Sequence, residues 1–134
     1  MVNFGIVGFG LHAVKRLMPG FDLSKNCRVT ALTRREAAAA AQSAKEYNIP
    51  NAFTSVEDLC RCPEVDAVLV TTPNSCHLDE VLTAIQCGKP VLCEKPLGMN
   101  AAECKQMVEA ARKANVLFGV ADVIPFSPLR SRIT

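Results

Sequence analysis

The sequence predicts an α/β fold: a doubly wound parallel sheet with helices on both faces. Three observations carry this. Short apolar runs alternate with helical patterns from end to end. Several of those runs are continuous and β-branched, as in Ala67-Val-Leu-Val70, which suits strands buried on both faces. The first run ends in Gly8-Phe9-Gly10, where a tight turn can open a helix.

The elements follow in order. Val2–Val7 reads as a strand, and Leu11–Met18 as a short helix stopped by Pro19-Gly20. Arg28–Leu32 is the next strand. The Ala-rich stretch Glu36–Tyr47 is helical, with Ala37, Ala41 and Ala44 assigned to one face. Ala52–Thr54 is a short strand, and Ser55-Val-Glu-Asp58 reads as a capping box for a small helix. After the Ala67–Val70 strand, Leu78, Val81, Leu82 and Ile85 repeat at the spacing of an amphipathic helix, closed by Gly88. Pro90–Cys93 is a strand. Asn100 caps a helix whose inner face is Cys104, Met107, Val108 and Ala111, and Val116–Ala121 is the last strand.

The chain has 134 residues, one domain's worth. Hydrophobic residues are 49%, enough for a core at this length. A net charge of +2 without a dense basic run gives no case for nucleic acid as partner. No apolar run is long enough to span a membrane, and no signal-type segment opens the chain, so a cytoplasmic location is expected. The seven cysteines are odd in number and scattered, without zinc or redox spacing. They are read as free thiols in small core sites, and no metal site is expected.

Gly8-Phe9-Gly10-Leu11-His12-Ala13 is a G-x-G-x-x-A sequence between a strand and a helix. In that context it is a phosphate-binding turn of the Rossmann type. Gly8 makes the turn, Gly10 admits a pyrophosphate, and Ala13 lets the helix sit close to the strand. The helix N-terminus then faces the phosphates with unpaired N–H groups. A site for NAD needs an acidic residue about 20 residues further on. Leu32-Thr33-Arg34-Arg35 stands there instead. A Thr hydroxyl and Arg34 suit a 2′-phosphate, and Arg35 can stack on adenine. NADP is therefore the expected cofactor, with NAD less favoured.

Two later stretches carry a resemblance. Val68–Thr71 leads into Thr72-Pro73-Asn74-Ser75-Cys76-His77, and Val91–Cys93 leads into Glu94-Lys95-Pro96-Leu97. With the glycine turn upstream, the chain resembles the N-terminal, NAD(P)-binding domain of the glucose–fructose oxidoreductase / inositol dehydrogenase (Gfo/Idh/MocA) family over essentially its whole length. The resemblance implies that Pro73, Asn74 and His77 line the dinucleotide, with Asn74 and His77 near the nicotinamide. It implies that Glu94 holds the nicotinamide ribose, that Lys95 acts at the reacting carbon, and that the Lys95–Pro96 bond is cis.

The same resemblance implies an oxidoreductase acting on a sugar, polyol or related hydroxyl compound. Residues 1–121 form the dinucleotide domain, and residues 122–134 a crossover or the start of a second, α+β domain. That second domain would supply most of the substrate pocket, so the isolated chain is expected to bind cofactor with little turnover. Self-association is a further expectation. Pro125, within Ile124–Pro128, stands where the family often has an Arg. Phe126, Leu129 and Ile133 have no obvious core to enter. The competing reading is a non-catalytic NADP-binding regulatory or sensor module.

Overall fold

The computed structural model describes residues 1–122 and Pro125. Six strands form one parallel sheet: β1 (Val2–Val7), β2 (Cys27–Thr33), β3 (Asn51–Phe53), β4 (Ala67–Val70), β5 (Val91–Glu94) and β6 (Phe118–Ala121). Their order across the sheet is β3-β2-β1-β4-β5-β6. The helices between them are α1 (Met18–Leu23), α2 (Ala37–Glu46), α3 (Val56–Arg61), α4 (His77–Gln86) and α5 (Ala101–Ala114). The expected doubly wound sheet is therefore the observed one. The strand order reverses between β1 and β4, and a ligand crevice belongs above that point, at the carboxyl ends of the strands.

Side chains alternate across the sheet, so each strand feeds two cores. Val7, Val68 and Val70 pack with Val81, Ile85 and Met107 on one face. Ile6, Leu32 and Leu69 pack with Met18 and Ala40 on the other. The caps on α3 and α5 are local chemistry read directly. Ser55 Oγ accepts from the Asp58 N–H at 3.1 Å, and Asn100 Oδ1 accepts from the Glu103 N–H at 2.9 Å. Gly88 takes φ +72° just after α4, a value that side-chain-bearing residues resist.

Several expectations need correction. Pro19-Gly20 does not stop the first helix. The chain passes through a π-helical turn at Ala13–Leu17 and continues as α1 to Leu23, with Pro19 in the first turn of α1. A proline is tolerated there because it has no N–H to leave unpaired. The buried side of α2 is Ala40, Ser43 and Ala44; of the expected Ala37, Ala41 and Ala44, the first two are exposed. A run of alanines has too little contrast for periodicity to choose a face. The last strand begins at Phe118 rather than Val116, because Asn115 takes a left-handed conformation that ends α5 and the chain must first turn back. All seven cysteines are free. Cys60, Cys62 and Cys93 are buried and the other four half-buried. Ile124, Phe126–Pro128, Leu129 and Ile133 lie outside the described residues, as does the 122–134 segment apart from its first residue and Pro125.

Candidate functional site

A cleft of about 580 Å³ opens above the carboxyl ends of β1, β2 and β4. Its floor is the turn after β1. Gly8 holds φ +79°, and a Cβ there would run into the Thr72 side chain. The turn is pinned to β2: Gly8 N–H donates to Thr33 Oγ1 at 3.0 Å, and Phe9 N–H donates to the Thr33 carbonyl at 2.9 Å. On the β4 side the Thr71 hydroxyl lies 3.0 Å from the Val7 carbonyl and 2.9 Å from the Gly8 carbonyl. The turn is thus fixed from both neighbouring strands before any ligand arrives.

Gly10 tests whether the turn suits a pyrophosphate. A Cβ built there would meet only the Gly8 carbonyl, at 3.9 Å, and would otherwise project into open space. A side chain at this position would fill room that the protein leaves open. The residues present therefore fit a dinucleotide bound against the backbone.

Gly8, Phe9, Gly10, Leu11, His12, Thr33, Arg34, Arg35, Thr72 and Pro73 all line the cleft. Phe9 does so through its backbone. Its ring is 2% exposed and stacks edge-on against Tyr47, with centroids 5.3 Å apart. Arg34 reaches back to α2, where Nη1 donates to Ser43 Oγ at 3.0 Å. Arg35 is exposed at the same end of the cleft.

Asn74, His77, Glu94 and Lys95 are not among the residues that line the cleft. Asn74 is exposed in a short 3-10 turn ahead of α4. The expectation set His77 along the dinucleotide, but the side chain lies beneath the loop, 1% exposed. Its Nε2 is 2.9 Å from the Thr72 carbonyl, and its Nδ1 is 3.0 and 3.1 Å from the Pro96 and Leu97 carbonyls. The ring thereby ties the loop after β4 to the loop after β5. Lys95–Pro96 is a cis peptide. Glu94 uses both oxygens: Oε1 meets His12 Nε2 at 2.9 Å, and Oε2 accepts the Lys95 N–H at 3.2 Å.

The structure adds residues that sequence reasoning missed. Glu36, just before α2, lines the cleft beside the two arginines. Its place directly after Arg35 was the available signal. Glu80 lines the opposite wall and accepts a hydrogen bond from the Thr72 hydroxyl. Burial pushes its carboxyl above the ordinary value of 4.5, against a lowering by Thr72 and His77. Its position three residues after His77, one helical turn into α4, could have marked it. Cys76 also lines the cleft. Buried Cys93 lies under this region, and its thiol is pushed up to about 12 by burial and then by Glu80 and Glu94.

Residues 2–122 match the model of the Gfo/Idh/MocA oxidoreductase family, described as an NAD-binding Rossmann fold. The chain belongs to that family. It is 39% identical over 106 residues to the trans-1,2-dihydrobenzene-1,2-diol dehydrogenase of Xenopus tropicalis, covering 79% of this chain and 32% of that one. It is 45% identical over 119 residues to the 1,5-anhydro-D-fructose reductase of Ensifer adhaerens, covering 89% and 35%. The chain thus spans about a third of the length of these curated relatives. Among solved structures it resembles a 3-ketoreductase from Actinomadura kijaniata in complex with TDP-benzene and NADP. The TM-score is 0.90 at 23% identity, over 98% of this chain and 40% of that one, a likeness of fold. A nicotinamide cofactor is what membership of this family entails. No helix among the described residues is long and apolar enough to cross a membrane.

Proposed function

We propose that residues 1–121 are the cofactor-holding domain of a NADP-dependent oxidoreductase that acts on a sugar, polyol or related hydroxyl compound. The observation that carries the choice of NADP is the end of β2: Thr33, Arg34 and Arg35 all line the cleft where a NAD site would place an acid. The A. kijaniata enzyme was solved with NADP, whereas a scyllo-inositol dehydrogenase from Lactobacillus casei was solved with NAD(H). Both relationships fit the fold.

When bound, the nicotinamide supplies or accepts the hydride. The chain's own residues do the rest. The turn binds the pyrophosphate through backbone N–H groups from Gly10 onward, those of Gly8 and Phe9 being taken by Thr33. Arg34 meets the 2′-phosphate and Arg35 covers the adenine. Thr72, Pro73 and Asn74 form the wall toward the nicotinamide, and Glu94 holds its ribose. Lys95 orients the substrate hydroxyl, and its charge favours the alkoxide that develops on oxidation. His77 is a positioning residue: it fixes the Thr72 and Pro96 loops relative to one another.

Glu36 supports a second reading. A carboxylate at the same end of the cleft can accept from the ribose hydroxyls of NAD and would repel a 2′-phosphate. Calorimetric titration with NADP and NAD decides between them, using the chain beside Arg34→Ala and Glu36→Gln. One charge-assisted bond at an exposed arginine corresponds to roughly tenfold in affinity. Under the NADP reading, Arg34→Ala lowers NADP affinity by about that factor and leaves NAD unchanged. Loss of NAD affinity in Glu36→Gln, with Arg34→Ala silent, would establish the second reading and overturn the first.

A further inference from the structure

The glycine turn and the Glu94-Lys95 segment are distant in sequence and belong to different strands. One side-chain contact joins them directly. His12 Nε2 and Glu94 Oε1 lie 2.9 Å apart, between residues separated by 82 positions. His12 is 47% exposed and Glu94 18%, so the pair sits at the rim with the carboxylate on the inner side. The other Glu94 oxygen takes the Lys95 N–H. Glu94 is therefore held from two directions, by its own backbone neighbour and by the phosphate-binding turn.

Nothing in a phosphate-binding turn requires a histidine at this position. The x residues of G-x-G-x-x-A act through their backbone N–H groups. A side chain that reaches from this turn to a carboxylate at the end of β5 does separate work. A carboxylate with one free rotor samples several orientations, and fixing it before the ligand arrives removes that ordering cost from binding.

From this geometry we infer that His12 is a positioning residue, which presets the Glu94 carboxylate and so couples the phosphate-binding turn to the nicotinamide end of the cleft. The inference rests on the proposed placement of the nicotinamide ribose at Glu94. It predicts a division of labour within the cofactor. The adenosine half should be indifferent to the His12 side chain, and the nicotinamide half should depend on it, but only while Glu94 is present.

A double-mutant cycle read by calorimetry tests this on the chain as it is. The four proteins are the parent, His12→Ala, Glu94→Ala and the double variant. Each is titrated with NADP and with 2′,5′-ADP, which lacks the nicotinamide half. The expected result is a loss of about three- to tenfold in NADP affinity for His12→Ala. That loss should shrink below about twofold when Glu94 is already alanine, and 2′,5′-ADP should bind all four proteins alike. His12→Gln keeps a side-chain N–H donor and should recover most of the NADP affinity. An undiminished His12→Ala effect in the Glu94→Ala background would mean a direct contact with the cofactor and would overturn the inference. A matching fall in 2′,5′-ADP affinity would mean damage to the turn and would overturn it as well. If Glu94→Ala alone leaves NADP affinity unchanged, the placement of the ribose at Glu94 fails, and the inference with it.

Discussion

On the β1 side of the cleft, the floor is a turn shaped by its backbone. Gly8 is bent to φ +79°, Gly10 offers open space, and Phe9 turns its ring into the core. On the β4–β5 side two polar side chains, those of His77 and Thr72, are turned toward the protein's own groups. His77 is 1% exposed among three carbonyls, and Thr72 gives its hydroxyl to Glu80. The first side is shaped by which residues lack side chains. The second is shaped by buried side chains that hold loops in place. The two sides should therefore break in different ways.

The largest effect is expected at Gly8. Alanine there must take a left-handed conformation costing about 1–2 kcal/mol, and its Cβ runs into Thr72. Gly8→Ala should abolish cofactor binding at millimolar ligand while the domain remains folded, as judged by calorimetry and circular dichroism together. Binding within tenfold of the parent would mean that the turn is not the pyrophosphate seat.

His77→Ala should show the opposite balance. It removes a fully buried ring, and with it the ring N–H that donates among the Thr72, Pro96 and Leu97 carbonyls. The cost is about 2–4 kcal/mol of folding stability, measured by urea denaturation. The ratio of NADP to NAD affinity should not change, because no readout of the 2′-phosphate passes through this ring. A variant as stable as the parent but with an altered ratio would contradict the positioning role.

The smallest effect belongs to Glu80. Burial raises its carboxyl above the unfolded value, so the folded state binds the proton more tightly. Its stability contribution is then full at low pH and is lost as pH rises from the ordinary glutamate value through the raised one. Glu80→Gln does not titrate and still offers an acceptor to Thr72. Melting curves of the two proteins should lie close at acid pH and separate by roughly 2–4 °C in favour of the glutamine by neutral pH. Parallel curves would show that Glu80 is not destabilised by its surroundings.

Much of the β1–β2 side was legible in the sequence, because its information is in identities. Gly8, Gly10 and the Thr33-Arg34-Arg35 run after Leu32 could be read as letters. The role of Thr33 could not. Its hydroxyl holds the Gly8 N–H across 25 positions, a partnership that exists only once β1 and β2 pair. On the β4–β5 side the residue types pointed to the right segment, but not to the direction of each side chain. His77 opens α4, and the helix turns its ring beneath the loop. Spacing alone does not distinguish that from a ring facing the cleft. The face of α2 was hidden for a related reason: alanines on all sides give no contrast, and the polar Ser43 is buried beside Ala40 and Ala44.

One further consequence lies in the pairing of β1 with β4. Within β1, β2 and β3 each strand pairs with its neighbour in sequence, and the same holds for β4, β5 and β6. The junction between the two sets is long-range: Asn3 N–H, at the start of β1, donates to Asp66, 63 residues away. Loop-closure entropy makes such a junction costlier to form than the pairings within each set. The cleft lies directly over it, drawing Gly8 from one side and Thr72 from the other. A cofactor that binds there recognises only chains whose two halves have already joined, and by mass action it draws the population toward them.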